Sequence, residues 1–226
     1  MYSFSSGITM EEFAWFLVFV GRPNAGKSSL ISNLTSAKPV IGKKPGSTRR
    51  INTYKITKKF EVVDVPGWGK IHDRTKAYED RIKDEIVEFF ERYKFRIPAC
   101  ILVIDAKSIV DVSERLSKKG IIPIDQELYN FIKNYKIIPI VAINKIDKIG
   151  KIEVEKAVQY IKKLIDYDNL PAEYQEAVIT VSAKQGINLG VLRDLIRKHL
   201  RNNDVEEFER YIKLGDTEIR TSPKCF

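Results

Sequence analysis

The eight residues Gly21-Arg22-Pro23-Asn24-Ala25-Gly26-Lys27-Ser28 constrain this chain more than any other stretch. They fit G-x-x-x-x-G-K-[ST]. A β-branched and aromatic run at residues 16–20 precedes them, and Leu30, Ile31 and Leu34 recur behind them at helical spacing over residues 28–34. A strand that turns through glycines into a helix aims successive backbone N–H groups and the helix N-terminus at one spot, a cradle for phosphate oxygens. Lys27 adds a full charge, the Ser28 hydroxyl reaches a phosphate-bound magnesium, and Ser29 continues the first turn. A lysine there otherwise opposes the helix macrodipole, which argues against a ligand-free turn.

The rest of the chain supplies the sheet that such a loop needs. Residues 52–57 and 60–65 read as two strands joined at Lys58-Lys59, a hairpin that adds an antiparallel edge. Residues 99–104, 137–143 and 177–181 are short apolar runs, as expected of parallel strands covered on both faces. Helical spacing recurs between and after them, over residues 76–93, 125–134, 152–165 and 189–200. The alternation predicts an α/β P-loop fold with a mostly parallel six-stranded sheet, one antiparallel edge strand, helices on both faces, and ligands at the carboxyl ends of the strands. One domain over residues 13–200 is expected, with a frayed extension at 1–12 and a tail at 201–226 whose residues 204–214 form a surface helix.

Three further segments fall at those strand ends. Asp64-Val65-Pro66-Gly67 places a carboxylate to hold magnesium through water and a glycine N–H to meet a terminal phosphate. Between it and the first loop, Gly46, Ser47 and Thr48 form a turn-rich stretch, and Thr48 is the expected additional magnesium ligand, with Ser47 its competitor. Asn144-Lys145-Ile146-Asp147 chooses the base. The Asp147 carboxylate accepts from guanine N1–H and the exocyclic amine, donors that adenine lacks on that edge, and an unpaired buried acceptor costs about 1–3 kcal/mol. Asn144 ties this segment to the phosphate loop and Lys145 lies over the ring. Ser182-Ala183-Lys184 closes the other side through the Ala183 N–H. GTP and GDP are therefore the expected ligands.

A net charge of +9 favours a polyanionic partner, and RNA fits, although the basic pairs are scattered as a general lysine bias would also scatter them. Neither an export signal nor a membrane-spanning run is evident, and Cys100 and Cys225 make no disulfide frame. A cytoplasmic monomer that touches no membrane is the expectation.

The ordered set GRPNAGKS, Thr48, DVPG, NKID and SAK resembles the translation-factor-related class of GTPases over residues 16–200. Within it, PGSTRR, DVPGWGK and the long charged helix that follows are similar to the EngB family, also called YihA. A long connection over residues 108–126 and the lack of a basic amino-terminal arm point to its archaeal-type branch. The resemblance implies a slow GTP hydrolase, with Lys27, Thr48 and Gly67 as its catalytic groups, that switches in large ribosomal subunit assembly. Two alternatives stay open: a GTP-dependent RNA- or protein-binding module, or a GTPase serving tRNA modification.

Where many GTPases carry a water-orienting glutamine after this glycine, the chain has Trp68, whose indole cannot perform that task. Slow intrinsic turnover follows, with the missing element supplied by a ribosomal partner or by a potassium ion. Asn24 resembles the phosphate-loop asparagine of potassium-activated relatives, which implies K+ as a further cofactor.

Overall fold

The computed structural model describes residues 2–3, 9–10, 14–38, 50–69, 75–109 and 123–213. A two-residue antiparallel pairing joins β1 (Tyr2–Ser3) to β2 (Thr9–Met10), so the described part of the amino-terminal extension is paired rather than frayed. The main sheet contains β3 (Trp15–Gly21), β4 (Asn52–Thr57), β5 (Phe60–Asp64), β6 (Ala99–Asp105), β7 (Ile140–Asn144) and β8 (Val178–Thr180). Its order is β4-β5-β3-β6-β7-β8; β4 alone runs antiparallel to its neighbour. This is the P-loop α/β architecture expected, with five parallel strands and an antiparallel edge.

Among the described residues, the α-helices that cover the sheet include α1 (Lys27–Leu34), α2 (Lys76–Tyr93), α3 (Ile124–Asn134), α4 (Lys151–Leu164) and α5 (Leu189–Asn202). The apolar run of β3 divides between two cores, because successive side chains leave opposite faces of a strand. Phe16, Val18 and Val20 join Ile82, Ile86 and Phe89 of α2, Leu128 of α3 and Ile161 of α4. Leu17 and Phe19 face Leu30, Ile31 and Leu34 of α1 and Leu192 and Ile196 of α5. A period-2 pattern cannot show in a strand buried on both sides.

The boundaries differ from the sequence reading where local chemistry dictates. β7 begins at Ile140 rather than 137, because Pro139 has no N–H to give a ladder. The surface helix expected over residues 204–214 is a 3₁₀ helix, Glu206–Tyr211, with Glu206, Glu207 and Arg210 exposed. Phe208 is buried and stacks on Phe60 of β5, with ring centroids 4.7 Å apart and planes within 7°. Arg197 of α5 donates to the Ile212 carbonyl at 3.0 Å and fastens the segment down. Residues 214–226 lie outside the described ones.

Candidate functional site

β3 enters a crevice at the carboxyl edge of the sheet, where the chain leaves toward β4 and β5 on one side and β6, β7 and β8 on the other. Such a crevice is where ligands bind in open α/β sheets. The phosphate loop lies at its centre. Gly26, at φ +98°, precedes α1, and a Cβ there would come within 2.3 Å of the Asn144 amide nitrogen. Only glycine allows that turn and that contact together.

The start of α1 differs from that of α2. Thr75 caps α2 by accepting from the Tyr78 N–H at 3.3 Å. In α1 no side chain caps the first turn and no acid stands in it, so its N–H groups keep the positive potential that an anion requires. Lys27 is buried and its ammonium donates to the carbonyls of Gly21 and Arg22, both at 3.2 Å. Burial pushes that ammonium below the usual lysine range, and the Asp64 carboxylate pulls it back up. A phosphate anion would act with Asp64 and favour the charged lysine.

The Ser28 hydroxyl donates to Asp64 Oδ2 at 2.7 Å. A hydroxyl and a buried carboxylate in contact form a hard oxygen pair that suits magnesium sharing its shell with phosphate and water. The segment after Asp64 runs along the phosphate loop. Val65 N–H donates to the Phe19 carbonyl at 3.0 Å and Trp68 N–H to the Gly21 carbonyl at 3.2 Å. Gly67 lies so close that a Cβ would stand 2.5 Å from the Pro23 nitrogen. Gly46, Ser47 and Thr48 lie outside the described residues.

Trp68 turns away from this crevice. Its side chain is 6% exposed, its ring centroid is 4.9 Å from that of Phe131 in α3, and its Nε1–H donates to Glu127 Oε1 at 3.3 Å. Sequence reasoning did not find this partner helix. It also missed the link from Arg22 to Asp125, whose side chains approach at 3.7 Å. Asp125 is buried, and desolvation pushes its carboxyl up to about 6 against the pull of the Arg22 guanidinium.

At the base end, the Asn144 amide donates to the Ala25 carbonyl at 2.9 Å, and its oxygen accepts from the Ala183 N–H at 3.0 Å. One buried side chain thus fastens three segments. The Ala183 N–H, expected to meet the base, is engaged by Asn144 here. Asn33 of α1 reinforces the junction by donating to Ser29 and Ala183 carbonyls at 2.8 and 3.1 Å. Ser182 donates to Asp147 Oδ1 at 2.6 Å and so orients the carboxylate read as the base selector. Ile146 and Asp147 sit in a short 3₁₀ turn, and Lys184 is exposed beyond. Lys145 stretches its side chain across the loop, and its ammonium donates to the Asn24 carbonyl and, at 2.7 Å, to Asp105 Oδ2. Asp105 went unread in the sequence, where its one signal is its place directly after an apolar run.

The relatives agree with this geometry. A sequence profile described as "50S ribosome-binding GTPase" matches residues 16–145, and one described as "Elongation factor Tu GTP binding domain" matches residues 92–202. A probable GTP-binding protein EngB of Pyrococcus abyssi is 39% identical over 187 residues, 82% of this chain and 85% of its own length. Its counterpart in Methanopyrus kandleri is 35% identical over 199 residues, 87% of this chain and 98% of its own. Among solved structures, a probable GTP-binding protein engB is 37% identical with a TM-score of 0.71, over 83% of this chain and 99% of that one. Era of Aquifex aeolicus is 27% identical with a TM-score of 0.54, over 89% of this chain and 57% of that one. The chain therefore belongs to the EngB family of P-loop GTPases, on its archaeal side.

Proposed function

We propose that this GTPase is a nucleotide-dependent switch in the assembly of the large ribosomal subunit, with slow intrinsic hydrolysis and magnesium as cofactor. The contact that carries the nucleotide part is Asp147 held by Ser182 at 2.6 Å: an acceptor fixed in orientation suits guanine's two donors and leaves adenine unmatched. The 50S ribosome-binding description of the matching profile and the net charge of +9 support the ribosomal part.

In this reading Lys27 exchanges the Gly21 and Arg22 carbonyls for phosphate oxygens, and Gly21 to Ser29 wrap the phosphates. The Gly67 N–H positions the γ-phosphate for in-line attack by water, so that the bond from phosphorus to the bridging oxygen breaks toward GDP. Ser28, Thr48 and Asp64 would hold magnesium, which would supply neutralisation of the phosphate charge. Thr48 and Gly67 follow the γ-phosphate and let go after hydrolysis, which is the switch. Lys145 and Asn144 hold the base end to the phosphate end, and Ala183 and Lys184 flank the purine.

Trp68, turned into α3, leaves no side chain at its position to orient the attacking water. The missing element comes from the ribosomal particle or from a potassium ion beside Asn24, whose exposed side chain stands at the mouth of the loop with φ +61°. Turnover in potassium against sodium decides the second source; equal rates remove it. The same tryptophan favours a second reading, a GTP-dependent binding module whose hydrolysis is incidental, and single-turnover rates with and without subunits separate the two.

The test of the main reading is co-sedimentation with large-subunit precursors. Tighter retention with a non-hydrolysable GTP analogue than with GDP is expected, and equal retention in both states defeats the switch. The protein acts as a cytoplasmic monomer; among the described residues no helix is long and apolar enough to cross a membrane.

A further inference from the structure

We propose that the end of the sheet opposite the nucleotide crevice carries an RNA-stacking platform, built from Phe95 and Trp15 with Lys58, Lys59, Lys94 and Arg96 around them, that takes unpaired nucleotides. The proposal rests on the ribosome-assembly reading for the source of that RNA and names the surface that meets it.

Phe95 sits in the 3₁₀ turn Lys94–Arg96 that ends α2, and it is 83% exposed while its neighbours Tyr93 and Ile97 are 3% and 6% exposed. The turn could have buried this ring and instead presents it, which forgoes the gain from removing a phenyl group from water. The Lys94 ammonium stands 5.2 Å from the Phe95 ring centroid, and the Arg96 guanidinium stands 5.2 Å from that of Trp15. Trp15, half-buried, opens β3, and its N–H donates to the Lys59 carbonyl at 2.9 Å. That bond joins β3 to the turn between β4 and β5, where Lys58 and Lys59 are both exposed, and the Arg96 contact with the Trp15 ring brings in the turn after α2. Each ring thus carries a cation against it, Lys94 on the exposed Phe95 and Arg96 on Trp15, whose ring also packs on the core beside Phe60.

Acidic groups border it on one side, where Asp204, Glu206 and Glu207 are exposed on the segment that Asn203 and Phe208 fasten to Pro98 and Phe60, but not on the side of α2 and β5. Glu91 faces Tyr135 at the end of α3, where its charge helps raise the phenol's pKa, and Glu61 of β5 is fully buried rather than presented. Rings with cations beside them are what unpaired RNA recognises: an open ring face takes a base, and flanking cations take the phosphates on either side. A lipid surface would ask for an amphipathic helix with a continuous apolar face, and here two separate rings stand among charges. The platform lies at the amino ends of the strands and the nucleotide at their carboxyl ends, about 20 Å apart by the rise of β3. Its contribution to RNA affinity is accordingly the same in both nucleotide states, a constant anchor beneath the switching loops.

Binding of a short unstructured RNA of about a dozen nucleotides, followed by fluorescence anisotropy, tests this. Phe95→Ala weakens binding about tenfold by loss of one stacked base, and Phe95→Trp restores it. Lys94→Gln lowers the slope of log affinity against log salt by about 0.7, the release from one phosphate of a single strand. GTP affinity stays unchanged in all three. Wild-type protein that ignores the RNA overturns the platform, as does Phe95→Ala binding as well as wild type, or wild type preferring vesicles of anionic phospholipid. Co-sedimentation keeps the two readings apart. If Phe95→Ala loads onto precursors like wild type, the platform falls and the assembly reading stands. RNA bound through Phe95 by a protein that never loads onto precursors leaves the platform and defeats assembly.

Discussion

Asp105→Asn should loosen GDP by cutting the charge that holds Lys145 across the phosphate loop. The Lys145 ammonium donates to Asp105 Oδ2 at 2.7 Å, and the two side chains are 21% and 20% exposed, so the pair is shielded from water but not desolvated. A hydrogen bond to a charged group contributes about 1.5–3 kcal/mol, and partial exposure places this one near the lower end. Asparagine has one acceptor oxygen: turned to Lys145 it keeps a neutral contact worth about 1 kcal/mol, but it then turns an N–H toward the Lys107 and Ser108 amides, from which Asp105 Oδ1 accepts at 3.0 and 3.4 Å, at a further cost of about 0.5 kcal/mol. The net loss is about 1 kcal/mol. If Lys145 packs on the bound guanine as proposed, release of a fluorescent GDP analogue in stopped flow speeds up roughly fivefold. In a Lys145→Ala background the same substitution should add nothing, because its partner is gone. An unchanged release rate, or an equal acceleration in both backgrounds, refutes the reasoning.

Gly67→Ala places a methyl 2.5 Å from Pro23, so the loop must back away; GTP hydrolysis falls steeply in a phosphate-release assay while GDP affinity holds. Chelating magnesium with EDTA weakens GTP binding in wild type, and in Ser28→Ala, which loses the 2.7 Å contact with Asp64, calorimetry finds a much smaller effect. Two of the buried titratable groups tilt stability in opposite directions. Asp125 titrates near 6 in the fold against about 3.9 unfolded, so its native state holds the extra proton and stability is lost as pH rises through that window. His199, pushed down to about 4 by burial and by Lys198, loses stability as pH falls from about 6.5. Thermal melts should show the advantage of Asp125→Asn over wild type growing from pH 4 to 6, toward an upper bound on the order of 2–3 kcal/mol, and His199→Gln losing less than wild type on acidification.

Much of the site was legible because its groups are tied to local backbone geometry. The glycines, Lys27 and Ser28 lie within eight residues, and a strand before and a helix after them are all that the cradle needs. What escaped notice are side chains whose meaning lies in a partner far along the chain. Asp105 meets Lys145 forty residues away, Arg22 meets Asp125 across one hundred and three, and Trp68 reaches Glu127 across fifty-nine. An aspartate, an arginine or a tryptophan alone carries no period and no motif that would announce such a contact.

The sequence by itself marked out the candidate ligand groups: a phosphate loop of glycines with a lysine and a serine, an acid read as the metal's, and an acid read as the base's, each at the end of an apolar run. Those are properties of short segments, set by backbone freedom and functional-group type. Only the tertiary structure decided which spare donors and acceptors were already taken. It gave the Ala183 N–H to Asn144, the Ser182 hydroxyl to Asp147 and the Trp68 indole to Glu127, and it left Phe95 in water while Phe208 was drawn onto Phe60. Hydrogen-bonding capacity and burial are shared among elements brought together by packing, so their allocation belongs to the folded whole.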